Sequence, residues 1–154
     1  MIWQSLLGLA VLLAACYVLT LAMLSLLSRR PAGLGVVAGQ LRPCPGSPNC
    51  VSTLATDKRQ RIEPLTYSGG ADEAMRLLRA TLAALPRTRV ITATGEYLHV
   101  ECTSRFFRFT DDVEFLIDDE HKTIHFRSAS RVGLSDLGVN RRRMETIRRG
   151  FSCS

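Results

Sequence analysis

The 154-residue sequence predicts an α+β fold: an antiparallel β-meander packed against two helices, preceded by one N-terminal transmembrane helix. Three observations carry that expectation. Residues 1–28 contain no charged side chain. From Val90 to Arg127, apolar and polar residues alternate with a period of two, as in strands that bury one face. On either side of that stretch a segment repeats apolar residues at three- and four-residue steps, as an amphipathic helix does.

The elements follow in chain order. The apolar run from Leu6 to Leu27 is long enough to cross a bilayer, with Trp3 and Gln4 at one end and Arg29-Arg30 at the other. A secretory signal would place basic residues before a shorter core. Leu13-Ala14-Ala15-Cys16 resembles a lipoprotein cleavage box, but the run continues apolar through Tyr17-Val18-Leu19, so a retained anchor over residues 1–28 is the expectation. Residues 29–40 read as a linker, and 41–154 as the domain. Glycines and prolines punctuate the chain up to Gly69-Gly70, so Cys44 to Ser68 should lie across the domain surface in local turns. Met75, Leu78, Leu82 and Leu85 predict a helix over 71–85, with Asp72 and Glu73 in its first turn and Pro86 as its stop. Strands follow at Val90–Thr92, Leu98–Cys102, Phe107–Phe109, Val113–Ile117 and Ile124–Phe126, with a hairpin turn at Asp118–Lys122. A last helix from about Asn140 places Met144, Ile147 and Phe151 on one side.

Charge narrows the function classes. The formal net charge is +6, and beyond position 30 the count is 18 basic against 14 acidic, or +4. Such an excess, with few aromatics, argues against nucleic acid as a partner. The cations are nearly all arginine, whose fork suits carboxylates and phosphates.

The densest polar segment is Arg127 to Phe151, with seven arginines against Asp136 and Glu145. Arg127, Ser128, Ser130, Arg131, Ser135, Asp136, Asn140, Arg141 and Arg143 are its candidate ligand-binding residues. Arg141 to Arg143 fall in the first turn of the last helix, where cations are disfavoured. Either a sheet carboxylate (Glu101, Asp112 or Glu114) or a bound anion must offset them. Glu145 has Arg141 and Arg149 at four-residue spacing, and Asp136 is placed to clamp an arginine. A nucleophilic serine needs an adjacent base. Of the histidines, His121 lies in the turn, and nothing ties His99 or His125 to a serine.

Cys44 and Cys50 bracket a Pro- and Gly-rich loop. A bridge is sterically open to them, and so is a pair of free thiols; zinc would need a second ligand pair that the sequence lacks. Cys102 reads as core and Cys153 as terminal. The acidic residues between Asp111 and Glu120 read as solvated charges and partners for the arginines, not as a metal site. Nothing in the chain calls for a cofactor.

CPGSPNCVST, the Tyr97-Leu98/Glu101 strand, FRFTDDVEF and RSASRVGLSDLGVNRRRMETIR together resemble the domain-of-unknown-function family 1499, over about Leu41 to Phe151. Cys44, Pro48, Asn49, Cys50, Asp112 and Glu114 match its motifs, as do all nine candidate residues above; Leu134 departs from an aromatic position. The resemblance implies an envelope setting behind a membrane or export segment and no assigned activity. It favours a bacterial inner-membrane protein with a periplasmic domain, whereas the basic flank Arg29-Arg30 favours a cytoplasmic one.

The function expected is a non-enzymatic binding or structural module. Its partners would be the membrane and an anionic ligand, lipid headgroup or envelope protein. The alternative is a hydrolase-type enzyme with Glu101 or Asp112 as general base and arginines as anion clamps.

Overall fold

The computed structural model describes residues 2–152. Helix α1 (Ile2–Leu27) includes a 24-residue stretch, Trp3–Leu26, of mean hydropathy 2.5, none of it buried in the domain. It is long and apolar enough to span a membrane.

The domain is a six-stranded antiparallel sheet with two helices on one face. Its strands are β3 (Cys50–Ser52), β4 (Leu65–Thr66), β5 (Thr88–Thr94), β6 (Tyr97–Thr103), β7 (Thr110–Asp118) and β8 (Thr123–Ser130). Sequential hairpins order it β5-β6-β7-β8, and both β3 and β4 pair with β8. Strands β1 (Val36–Val37) and β2 (Gln40–Leu41) form a separate hairpin. Helices α2 (Ala71–Ala83) and α3 (Val139–Ser152) complete the fold.

Alternation decides which side chains meet the helices. Leu98, Val100 and Cys102 of β6, Val113, Phe115 and Ile117 of β7, and Ile124 and Phe126 of β8 share the inner face. Leu78 and Leu82 of α2, with Met144, Ile147 and Phe151 of α3, close over them, all buried. Burial of each such side chain contributes roughly 1.5–3 kcal/mol. The meander, both helices and the Asp118–Lys122 turn therefore stand as the periodicities predict.

Two expectations need correction. Phe107–Phe109 is no strand: residues 104–109 form a loop closed by the Ser104 amide on the Phe109 carbonyl, with Arg108 at φ +54°. The stretch from Cys44 to Ser68 is not only turns, since β3 and β4 extend the sheet. Residues 29–40, read as the linker, carry local structure of their own. The β1–β2 hairpin begins in them and ends at Leu41, which is buried, and β2 packs against β7 and β8. The sheet's polar face is thus covered by this segment. Cys153 lies outside the described residues.

Candidate functional site

The polar face gathers carboxylates and guanidinium groups from three strands. Register sets Glu101 beside Asp112, His99 beside Glu114, and Glu114 beside Arg127. Arg131 reaches Asp112 through Nε at 2.8 Å and Nη2 at 2.7 Å, and it also bonds Glu101. Glu101 takes two further arginines, Arg30 at 2.8 Å and Arg89 at 2.9 Å. His99 and Asp112 meet at 2.9 Å. Glu114 is fully buried; Oε1 accepts from the Gly35 amide at 2.6 Å and the Tyr97 hydroxyl at 2.8 Å, and Oε2 accepts from Arg127 Nη1 at 2.8 Å.

These contacts set the protonation. Burial pushes the Glu101 carboxyl up, but the hydrogen bonds from Arg131, Arg30 and Arg89 outweigh it and hold the group at about 2. Burial likewise opposes ionisation of Asp112, and the bonds from Arg131 and His99 again win, lowering it. Burial, then the Glu114 charge, pushes the Tyr97 hydroxyl up.

The inner face carries a second network. Arg143 pairs with Asp111 and donates to Asn140 Oδ1 at 2.7 Å and to Ser128 Oγ at 3.3 Å. Ser128 Oγ donates to Asn140 Oδ1 at 2.6 Å. Asn140 Nδ2 donates to the Asn49 carbonyl and to Ser130 Oγ, each at 3.0 Å. Asp136 accepts the amides of Gly138 at 3.0 Å and Asn140 at 2.7 Å. A carboxylate at the helix start offsets part of the charge of the three arginines that follow. Gly133 and Gly138, at φ +88° and +77°, let the β8–α3 loop take the left-handed turns that lead there.

The candidate residues therefore part company. Arg127 and Arg131 lie on the polar face. Ser128 and Ser130 of β8 meet Asn140 and Arg143 of α3 between sheet and helix. Asp136 caps that helix and clamps no arginine among the described residues, while Ser135 accepts the Leu137 amide at 3.3 Å. Arg141 donates to the carbonyls of Arg59 and Arg61, at 2.9 and 2.8 Å. The carboxylate that meets Arg143 is Asp111, not Glu101, Asp112 or Glu114. Glu145 pairs with Arg148, not with Arg141 or Arg149.

Cys44 and Cys50 form a disulfide. Its loop is fixed by Gln60 Nε2, which donates to the carbonyls of Pro45 and Ser47, and by Asn49 Nδ2, which donates to the Gly133 carbonyl at 2.6 Å. Between this loop, residues Pro31 to Leu34 and the end of β8 lies a cleft of about 620 Å³. Arg127, Ser130 and Arg131 line it, as do Asp112 and Arg42, a residue that the sequence did not single out. Arg127 is buried and its Nε has no hydrogen-bond partner among the described residues. Strand alternation could have found the polar-face pairs; Arg42 and Arg30 reach the site from an irregular segment that carries no periodic signal. Among the described residues no group of three or more His, Cys, Asp or Glu side chains is arranged to hold a metal ion.

Fold and site together define a small α+β domain, internally ion-paired on both faces of its sheet, that follows a long apolar helix. Residues 40–151 match the family described as protein of unknown function, DUF1499, and the chain belongs to that family. No curated protein and no solved structure matches the chain.

Proposed function

We propose that the protein is a single-pass anchored binding module that takes a small phosphate- or carboxylate-bearing anion in the cleft between the disulfide loop and β8. The observation that carries this reading is Arg127: a buried guanidinium on the cleft wall with one N–H unmatched, with the exposed Arg42 on the same cleft. A buried donor without a partner costs about 1–3 kcal/mol, which an anion would recover if its binding turned the Arg127 Nε toward the cleft. Arginine forks suit such oxyanions. The hydrolase alternative gains nothing comparable. Glu101 and Asp112 are each held ionised by arginine, and a carboxylate stabilised that far is a poor proton acceptor.

α1 would hold the domain at a bacterial inner membrane. The Cys44–Cys50 bridge supports the periplasmic side, where disulfides persist. A reporter fused after Ser154 decides the side, and a cytoplasmic readout would refute the placement.

The binding test is thermal unfolding of the full chain in detergent, with inorganic phosphate or short-chain phosphatidylglycerol titrated against chloride at matched ionic strength. Either ligand at about 100 times its Kd stabilises by roughly 2.7 kcal/mol. Arg42→Ala, at an exposed position, should abolish the shift while leaving the ligand-free midpoint in place. An equal rise in wild type and variant would mark general salt exclusion and end the reading. A response to the lipid alone would assign the headgroup.

A further inference from the structure

We propose that the end of the domain formed by the β6–β7 loop (104–109) and the β8–α3 loop (131–138) docks on the anionic surface of the bilayer that α1 spans. The inference rests on the anchor reading above. Register puts both loops at one end of the sheet, since Thr103 pairs with Thr110 and Asp111 with Ser130. That end is also where the anchor arrives. Helix α1 finishes at Leu27, and Arg30 is fixed to Glu101, two residues before the end of β6. Three Cα steps span at most about 10 Å, so Arg30 lies within that distance of the helix end and its side chain reaches on to Glu101.

The composition of this end suits a membrane interface. Phe106, Leu134 and Leu137 are each 83% exposed there, against a background in which the inner-face apolar residues of β6, β7 and β8 are buried. Loop 104–109 carries Arg105 and Arg108 and no acid. Arg105 stacks over the Phe106 ring, 5.7 Å from its centroid, an apolar body with a cationic rim. Arg87, Arg89, Arg105 and Arg108 line one open cleft of about 470 Å³ in which Glu101 is the one acid among the described residues and is itself paired to arginines, a receptacle for headgroup phosphates. The opposite end of β7 and β8 is the turn holding Asp118, Asp119 and Glu120. The domain is therefore polar in charge, with its basic end on the tethered side, as an anionic bilayer would select. Aromatic side chains beside arginines favour the interfacial zone.

The sequence has a single tryptophan, Trp3, so intrinsic fluorescence separates anchor from docking. The full chain is reconstituted in equimolar phosphatidylglycerol and phosphatidylcholine vesicles with brominated acyl chains, which quench tryptophan on contact. Trp3 in the wild type reports the anchor. Trp3→Phe with Phe106→Trp reports the docking edge, and Trp3→Phe with Glu120→Trp the far end. Both replaced positions are exposed, so neither change disturbs the core. Quenching at positions 3 and 106 but not 120 is expected. Quenching at 3 with position 106 as bright as 120 would overturn the docking and leave the anchor standing. A Trp3 that escapes quenching refutes the anchor, and the docking falls with it.

Discussion

Replacing Arg131 by alanine should unfold more of this domain's stability than any exposed substitution. Arg131 holds Asp112 through two hydrogen bonds, at 2.8 and 2.7 Å, and Glu101 through another. The side chains of Asp112 and Glu101 are 2% and 11% exposed. Glu101 would keep Arg30 and Arg89, but Asp112 would keep only His99. Breaking a buried pair by removing one partner costs about 3–5 kcal/mol, because the remaining charge stays out of water. Most of that loss should fall on Asp112, and about 4 kcal/mol is the expected total at pH 7. Against an ordinary domain stability of roughly 5–15 kcal/mol it is easily measured.

The assay is urea unfolding of the full chain in detergent, followed by circular dichroism, at a series of pH values. The sign of the pH effect follows from Asp112, whose folded pKa lies below its ordinary 3.8. A lowered carboxylate contributes stability above its unfolded pKa and loses it as pH falls through the folded value. The variant lacks that contribution. The gap between wild type and Arg131→Ala is therefore full at pH 7 and should close below about pH 4. Adding Asp112→Asn to the variant should recover part of the loss. A gap under about 1 kcal/mol at pH 7, the range of a solvated surface pair, would refute the reasoning. So would a gap that stays constant into acid.

Two further changes test the rest of the framework. Asn140→Ala removes a fully buried amide that serves Ser128, Ser130, Arg143 and the Asn49 carbonyl, and should cost about 2–3 kcal/mol, read as a lower urea midpoint at unchanged slope. Reducing the Cys44–Cys50 bridge, whose cysteines are six positions apart, should cost about 2 kcal/mol, and peptide mapping should find both thiols alkylated only after reductant.

What could be read in advance followed from local periodicity. Leu78 and Leu82, the alternation through β6 to β8, and Met144, Ile147 and Phe151 each announce a face that must be buried. β3 and β4 stayed hidden because three and two residues hold no period, and their pairing with β8 is remote in sequence. Phe107 and Phe109 mimic a strand, yet no register partner meets them, and positive φ at Arg108 turns the chain. Alternation also says that a face is polar without saying whether water or chain covers it. Arg30 reads as a membrane flank, and nothing local reveals that its guanidinium crosses to Glu101. Arg143 is different, because its partner was within reach of argument. α3 packs on the face of Val113 and Phe115, so the acid it meets must be Asp111, the residue of matching parity, and not Asp112.

That parity changes what the arginine-rich motif means. Asp111 and Asp112 are neighbours in sequence, yet they serve opposite sides of the sheet, so the motif's arginines cannot converge on one ligand. On the inner side Arg143 is answered by Asp111. On the polar side Glu101, Asp112 and Glu114 face Arg30, Arg89, Arg127 and Arg131, three carboxylates against four guanidinium groups. One positive charge is left over, and Arg42 at the cleft raises the surplus to two. Arg127 is matched one to one by Glu114, so the excess gathers at Glu101, which takes Arg30, Arg89 and Arg131, and at Arg42. Internal pairing thus accounts for most of the motif, and at the cleft beside the disulfide loop it leaves the exposed Arg42 near an Arg127 whose Nε–H has no partner among the described residues, where an anion would answer charge and hydrogen bond together.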